Sequence, residues 1–164
     1  MNPLIEDDFI DRNLTMRDYI NEIVKSFQEI SKKKFIVKSQ QDLNSLNIVK
    51  SIEIVYGLRN FIGNANKFAN QKIFIELKSN NDFTEITIVD DGEGYSKDIL
   101  SKIGEPYIKS LKSSTKSKTG LGLGIFIGKT LLEKNYAMIL CKNSKDKGGA
   151  EVNIKWRNKK LLDL

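Results

Sequence analysis

The longest regular pattern of apolar and polar positions in the chain lies in residues 51–69, SIEIVYGLRNFIGNANKFA. At about 100° per residue, the apolar side chains gather on one arc of a helix, which we expect to face the core. The opposite side carries Asn60, Asn64, Lys67 and Phe68. Residues four apart lie one above the other on a helix, so the carboxamides of Asn60 and Asn64 form a polar pair. The pattern predicts a helix with a core face and a chemical face.

Elsewhere apolar and polar residues alternate with a period of two, which is typical of strands with one buried face. The remaining helices are predicted at residues 15–30, 96–103 and 121–134, and the first begins with Thr15 and Asp18 as a capping pair. The predicted strands are residues 35–37, 72–78, 83–90, 137–141 and 150–156. Helices on one face of a mixed, mostly antiparallel sheet give the predicted fold class, an α/β (α+β) two-layer sandwich.

A length of 164 residues predicts one domain that can bury a core of its own. We expect this domain at residues 13–158, after an acidic lead-in segment at residues 1–12 and before a C-terminal tail at residues 159–164. Residues 104–119 are rich in Lys, Ser and Thr without a sustained apolar period, and they predict a mobile loop. No stretch approaches the ~20 apolar residues of a membrane span, and no signal-peptide pattern opens the sequence, so a cytoplasmic location is expected.

The composition excludes several kinds of chemistry. The chain has no His and a single Cys, Cys141, so imidazole catalysis, Ser-His-Asp triads and Cys/His zinc sites are excluded. Cys141 lies in an apolar predicted strand, where a role in the core is expected. The 27 Lys and Arg residues exceed the 21 Asp and Glu residues by six. This excess favours a polyanionic ligand, nucleic acid or an acidic partner.

Asp90 stands where an apolar predicted strand ends, within the sequence VDDGEG at residues 89–94. Gly92 and Gly94 follow at alternate positions, and such glycines let a flat ligand approach the backbone closely. A partly buried carboxylate needs hydrogen-bond donors, so Asp90 is a candidate acceptor for the amino group of adenine. A polar turn after a strand would give the same pattern without any ligand.

A second glycine-rich stretch, GLGLG at residues 120–124, leads into a predicted helix. At the start of a helix such glycines leave backbone N–H groups free to bind phosphate. The stretch does not follow a strand, and it matches neither the dinucleotide-binding pattern nor the P-loop pattern. Taken alone, a stretch of this kind is more often a packing feature than a ligand site.

Together, the three stretches resemble the ATP-binding catalytic domain of sensor histidine kinases, within the superfamily of gyrase, Hsp90, histidine kinases and MutL. The resemblance rests on N-x-x-x-N-A-x-K-F on a helix, D-x-G-x-G after a strand and G-x-G-x-G before a helix, in this order. It covers residues 13–157 and implies the Bergerat-type ATP-binding fold. Further stretches, GEPY at 104–107, FIGKTLLE at 126–133 and IKWR at 154–157, are most similar to the RegB/PrrB redox-responsive subgroup.

The resemblance implies ATP and Mg²⁺ as cofactors, with Asn64 as the metal ligand and Asn60 supporting it or the phosphates. Lys67 would contact phosphate, Phe68 would pack beside the base, and Asp90 would accept from the adenine amino group. Asn60, Asn64 and Lys67 are thereby the implied catalytic residues. In the family, a mobile lid follows the base pocket, and here it would be the part of the predicted mobile loop after Tyr107. The other implied cofactor-binding positions are Gly92 and Gly94 in the base pocket, Tyr107 before the lid, and Gly120, Leu121, Gly122, Leu123 and Gly124 in the lid hinge.

The kind of reaction depends on one position in the resemblance. In the superfamily's hydrolases a Glu one turn before the metal-binding Asn activates water, and the serine kinases that regulate sigma factors commonly have it too. Asn60 occupies that position here, and a carboxamide cannot act as a general base near neutral pH. The resemblance therefore implies transfer of the ATP γ-phosphoryl group to a histidine.

Since the chain contains no His, the acceptor would lie on a dimerisation domain of the same or a partner kinase. A response regulator would then receive the phosphoryl group. Contact with a membrane would come only through a parent protein, of which this chain would be the cytoplasmic part.

Other functions stay open at this point. A non-catalytic nucleotide-binding module that docks on a partner kinase would share every motif, and a superfamily ATPase or serine kinase would share most of them. The lysines are spread along the chain without interleaved aromatic residues, so no nucleic acid partner is expected.

Overall fold

The computed structural model describes residues 14–41, 51–103 and 121–164. The lead-in segment, the predicted loop at residues 104–119, which includes Tyr107, and Gly120 lie outside the described residues. Within the described ranges, no helix combines the length and the apolar character needed to cross a membrane.

The described residues form helices and strands close to the predicted ones. The helices are α1 (Met16–Gln28), α2 (Ile52–Phe68), α3 (Lys97–Ile103), α4 (Leu121–Lys134) and α5 (Asn158–Leu162). The strands are β1 (Lys34–Gln41), β2 (Lys72–Ser79), β3 (Phe83–Asp90), β4 (Met138–Asn143) and β5 (Ala150–Arg157). The capping box at the start of α1 is present, because Asp18 N–H donates to Thr15 Oγ1 at 3.3 Å and Thr15 N–H donates to Asp18 Oδ2 at 2.9 Å.

Two elements differ from the predictions. Strand β1 is eight residues long, whereas the sequence predicted residues 35–37 only. Its polar second half, KSQQ, shows no apolar alternation, but it pairs with β2 up to Gln41 opposite Ser79, so hydrogen bonding to the neighbouring strand decides its length. Helix α5 lies largely in the segment expected as a tail, and its Leu161 is buried against the core.

The strands form one sheet in the order β1-β2-β3-β5-β4. The β1–β2 pair is parallel and the other three pairs are antiparallel. A parallel pair needs a crossover connection, which α2 supplies between β1 and β2. The predicted fold class, a two-layer α/β sandwich with a mixed, mostly antiparallel sheet, is therefore confirmed.

Helix α2 lies at the centre of the core. Its apolar arc is buried as predicted, and Ile54, Leu58 and Ile62 are fully enclosed, at 0% exposure each. Each such side chain contributes roughly 1.5–3 kcal/mol relative to an exposed position. The helix packs against α1, α4 and β3, so its opposite, polar side is held in a fixed orientation.

Small residues let α2 and α4 approach each other closely. A Cβ at Gly57 of α2 would lie 2.5 Å from Leu132 Cγ of α4. A Cβ at Gly128 of α4 would lie 3.1 Å from the Phe61 ring and 3.2 Å from Asn60 Cβ. Larger side chains at either glycine would push the two helices apart.

We therefore expect Gly57→Ala to destabilise the fold by ~1–2 kcal/mol, because the overlap with Leu132 outweighs the gain in helix propensity. Gly124→Ala is the matched control in α4, since a Cβ there meets no described atom within 4 Å. It should be neutral or stabilising by up to ~1 kcal/mol. Urea denaturation followed by the fluorescence of buried Trp156 measures both, and equal effects of the two substitutions would contradict the close α2–α4 packing.

Candidate functional site

The polar side of α2 carries the residues that the sequence singled out. Asn60 and Asn64 are half-buried, and Lys67 is exposed. Asn60 Nδ2 donates to the Tyr56 carbonyl at 2.8 Å, which fixes the orientation of its carboxamide. The Lys67 ammonium lies 5.3 Å from the centroid of the Phe68 ring. The four side chains thus lie outside the buried arc of α2, as the helical pattern predicted, and their chemical roles stay predictions.

The hairpin of β2 and β3 brings this end of α2 beside Asp90. Helix α2 ends at Phe68, β2 begins at Lys72, and Ile73 of β2 pairs with Asp90 at the end of β3. The chain between Phe68 and Ile73 is therefore too short to separate the two stretches. The end of the helix and the end of the strand, predicted as separate motifs, are therefore neighbours in the fold.

Asp90 is buried, with 3% of its surface exposed. Its Oδ1 accepts hydrogen bonds from Gly92 N–H at 2.9 Å and Ala150 N–H at 3.3 Å. Burial raises the pKa of Asp90 above its ordinary value, against the effect of these two hydrogen bonds, and the neighbouring charge of Asp91 raises it further. The charge of Lys33 acts in the opposite direction and lowers the pKa.

The two carboxylate oxygens of Asp90 have different surroundings. Both backbone donors converge on Oδ1, and no described residue donates a hydrogen bond to Oδ2. A buried carboxylate gains stability from every donor it finds, so Oδ2 is the acceptor that a ligand amino group would use.

Two close approaches of the backbone shape the surroundings of Asp90. A Cβ at Gly92 would lie 2.1 Å from the Phe68 carbonyl oxygen, so this glycine lets the loop after β3 contact the end of α2. A Cβ at Gly149 would lie 2.1 Å from the Asp90 carbonyl oxygen and 2.3 Å from Oδ1. Gly149 was missed by the sequence analysis, because it lies in an ordinary hairpin turn 59 residues from Asp90.

Asn143 is a second residue that the sequence analysis missed. Its side chain accepts from Tyr95 N–H at 2.6 Å and donates to the Tyr95 carbonyl at 2.9 Å. Gly94, just before Tyr95, has a φ of +80°, which a glycine adopts without strain. Asn143 therefore holds the loop after Asp90 from the neighbouring hairpin.

Asp91 fixes the turn between α2 and β2. Its carboxylate accepts from Asn70 N–H at 2.8 Å and from Gln71 N–H at 3.0 Å, and its carbonyl accepts from Asn70 Nδ2 at 2.9 Å. Burial raises the pKa of Asp91, but hydrogen bonds from the N–H groups of Gln71, Lys72 and Asn70 together hold it below the ordinary value. Adjacent carboxyl groups thus have pKa values shifted in opposite directions.

The remaining predicted positions lie in or before α4. Helix α4 begins at Leu121, so Leu121, Gly122, Leu123 and Gly124 form its first turn. The packing of Gly128 against Asn60 places the middle of α4 along the polar side of α2. Tyr107 and Gly120 lie outside the described residues, and their implied roles stay predictions.

Cys141 packs against the core beside the site, as expected. Burial raises the pKa of its thiol to about 11. A thiol with such a pKa stays protonated near neutral pH and is a poor nucleophile.

The donor set suits Mg²⁺ bound together with a phosphate ligand. Among the described residues there is no group of three His, Cys, Asp or Glu side chains that could hold a metal ion alone. The Asn64 carboxamide is half-buried and makes no hydrogen bond to another described residue, so its oxygen is available. Mg²⁺ takes few protein oxygens and completes its octahedron with waters and phosphate oxygens.

Comparison with protein families gives a match over residues 49–160 to the model described as histidine kinase-, DNA gyrase B-, and HSP90-like ATPase. The chain is 38% identical over 104 residues to the sensor histidine kinase RegB of Cereibacter sphaeroides, which covers 60% of this chain and 22% of RegB. It is 29% identical over 90 residues to a putative sensor histidine kinase NtrY-like of Rickettsia felis, which covers 55% and 14% of the two chains. The chain thus spans about a fifth of the length of RegB and about a seventh of the length of the NtrY-like relative.

Solved structures share the fold. The mycobacterial sensor histidine kinase MprB superposes with a TM-score of 0.66 at 18% identity, over 88% of this chain and 95% of that chain. At this identity the likeness concerns the architecture alone. It agrees with the two-layer sandwich that the sequence predicted.

The pH dependence of stability should reveal the burial of Asp90. Burial raises its pKa in the folded chain, so the protonated carboxyl stabilises the fold at low pH. That contribution is lost as the pH rises from the ordinary value of 3.8 through the raised pKa. The unfolding free energy of the wild type should therefore fall relative to that of Asp90→Asn as the pH rises, measured by urea denaturation from about pH 3.5 to 7.5.

Asp91→Asn is the matched control and should show the opposite slope. The pKa of Asp91 is lowered in the folded chain, so its contribution is present above the ordinary value of 3.8 and is lost as the pH falls. Parallel pH profiles for the two variants would contradict the opposite shifts at these adjacent carboxyl groups.

Proposed function

The chain belongs to the family of histidine kinase-, DNA gyrase B- and HSP90-like ATPases, and on this premise we propose that it is the ATP-binding catalytic domain of a two-component sensor histidine kinase. It binds Mg-ATP and transfers the γ-phosphoryl group to a histidine on a separate dimerisation segment. The similarity to RegB and to NtrY-like sensor histidine kinases supports this choice within the family.

The arrangement at Asp90 is the observation that carries the proposal. One oxygen of a buried carboxylate is held by two backbone N–H groups, and the other accepts no hydrogen bond from a described residue. The neighbouring Gly92 lies against the Phe68 carbonyl at the end of α2. The amino group of an adenine ring bound at this end of β3 donates a hydrogen bond to Oδ2, and the ring packs beside Phe68. The backbone hydrogen bonds hold the carboxylate in place before the ligand arrives, which lowers the entropic cost of binding.

The polar side of α2 handles the phosphates. Asn64 is the metal ligand, Lys67 contacts phosphate through its ammonium, and Asn60 supports the pair one turn earlier. When bound, Mg²⁺ neutralises charge on the phosphates and orients them. The first turn of α4, at residues 121–124, offers backbone N–H groups to the same phosphates.

Asn60 favours transfer over hydrolysis. Phosphoryl transfer requires positioning of the γ-phosphoryl group, neutralisation of its charge and an aligned nucleophile. The Asn60 carboxamide cannot deprotonate water near neutral pH, so bound ATP is protected until an acceptor imidazole arrives. The imidazole is itself the nucleophile and needs no base from this domain.

The partners follow from this reaction. The chain contains no His, so the acceptor lies on the dimerisation domain of the same or a partner kinase. An aspartate of a response regulator then receives the phosphoryl group. We place this relay in the cytoplasm.

Calorimetric titration of ATP with and without Mg²⁺ tests the binding step. Asp90→Asn should weaken binding roughly 100-fold, because the backbone donors keep the amide oxygen in the Oδ1 position and the NH₂ group then faces the adenine amino group. Asp82→Asn, an exposed position at the other end of β3, is the control and should bind as the wild type does. Equal affinity of Asp90→Asn and the wild type would exclude Asp90 as the adenine acceptor.

Asn64→Ala should remove the dependence of ATP affinity on Mg²⁺, because the carboxamide oxygen is the proposed protein ligand of the ion. Asn81→Ala, an exposed position in the β2–β3 turn, is the control. An unchanged Mg²⁺ dependence in Asn64→Ala would exclude Asn64 as the metal ligand.

Labelled ATP supplied with the cognate histidine-bearing dimerisation segment tests the transfer step. We expect label on the segment, no label when its histidine is replaced by Gln, and little free phosphate without the segment. Binding of Mg-ATP without labelling would instead identify a non-catalytic docking module, and rapid release of phosphate without the segment would identify an ATPase.

A further inference from the structure

Lys33 lies in the turn between α1 and β1, and its side chain reaches the last turn of α2. Its ammonium donates to the backbone carbonyls of Asn66 and Lys67, the second at 3.3 Å. Carbonyls in the last turn of a helix have no partner within the helix, and this end carries partial negative charge. Lys33, which belongs to a different part of the fold, donates hydrogen bonds to these carbonyls and places a positive charge at this end of α2.

The same turn contacts α2 at two further points. Ser31 Oγ donates to Asn66 Oδ1 at 2.8 Å and accepts from Lys33 N–H at 3.1 Å. The backbone N–H of Lys34 donates to the Gln71 carbonyl at 2.8 Å. The end of α2 and the chain that follows it are therefore fastened to the α1–β1 turn.

The fastened segment forms one wall of the candidate site. Lys67 and Phe68 belong to the last turn of α2, and the Phe68 carbonyl contacts Gly92 in the loop after Asp90. Asp91 holds the chain just beyond this turn on the side of β3. The last turn of α2 is thus held between Lys33 and the loop that follows Asp90.

We propose that Lys33 is a positioning residue, which fixes the last turn of α2 and so sets the places of Lys67 and Phe68 relative to Asp90. The identity of the bound nucleotide rests on the function proposed above. The positive charge of Lys33 also has a small effect on Asp90: burial raises the pKa of that carboxyl group, and the charge of Lys33 lowers it. One residue outside the sequence motifs thereby influences both the phosphate side and the base side of the site.

Lys33→Met removes the charge and the hydrogen bonds but keeps the length of the side chain. Lys32→Met is the matched control: Lys32 is the preceding residue, is exposed and makes no hydrogen bond or ion pair within the described residues. Lys33→Arg keeps the charge and donors. For each variant, calorimetry gives the ATP affinity, NMR gives the backbone amide shifts of residues 67–70, and the carboxyl ¹³C shift gives the pKa of Asp90.

We expect ATP to bind Lys33→Met about tenfold more weakly than the wild type, since charge-assisted hydrogen bonds are lost. The amide shifts of residues 67–70 should change and the pKa of Asp90 should rise. Lys32→Met should match the wild type in all three measurements, and Lys33→Arg should recover most of the affinity. A folded Lys33→Met that behaves like Lys32→Met would overturn the proposal.

Failure of the proposed function gives a different result. If the folded wild type binds no ATP, the nucleotide assignment is wrong, while the amide shifts and the pKa of Asp90 are measured without nucleotide and still decide the role of Lys33. Unchanged values of both in Lys33→Met would reject that role. If Lys33→Met does not fold, Lys33→Arg is compared with Lys33→Gln instead. The pKa of Asp90 should then be higher in Lys33→Gln than in Lys33→Arg, and equal pKa values would overturn the proposal.

Discussion

The burial of one carboxylate constrains the whole site. Asp90 ends a strand whose preceding residues lie in the core, so its charge has little water around it and needs donors from the protein. Two backbone N–H groups supply them, one from the next loop and one from β5. The donor from β5 can approach only because Gly149 has no side chain, and the loop donor requires Gly92 to pass the end of α2. The buried carboxylate therefore requires glycine at both positions, since a side chain at either one would keep a donor away from it.

Connectivity explains why the helix motif and the strand motif meet. Strands β1 and β2 are parallel, so the chain must cross the sheet between them, and α2 is that crossover. Strand β2 then begins opposite the end of β3, which places the last turn of α2 beside Asp90. The helix that fills the core with one face therefore delivers its other face to the site. Packing and chemistry depend on the same element.

In the proposed nucleotide site, base recognition and phosphate binding fall to different parts of the structure. The Asp90 carboxylate and its loop are held by backbone hydrogen bonds and by Asn143, which suits the recognition of a rigid base. Asn64 and Lys67 are side chains of α2, which suits their proposed contacts with phosphates and a metal ion. The contacts of the α1–β1 turn tie the position of these side chains to a part of the fold that carries none of the motifs.

The sequence by itself determined the elements and the candidate residues that depend on local pattern. Helical spacing located α2 and its two faces, and alternation located β3 and the carboxylate at its end, because side-chain periodicity follows directly from backbone geometry. The motifs also sufficed to indicate the family and the fold. Only the tertiary structure decided the length of β1, the short helix α5 and the roles of Gly149, Asn143 and Lys33. Each of these depends on a contact with residues distant in sequence. A single amino-acid sequence shows no periodicity or motif spacing from which such a contact can be predicted.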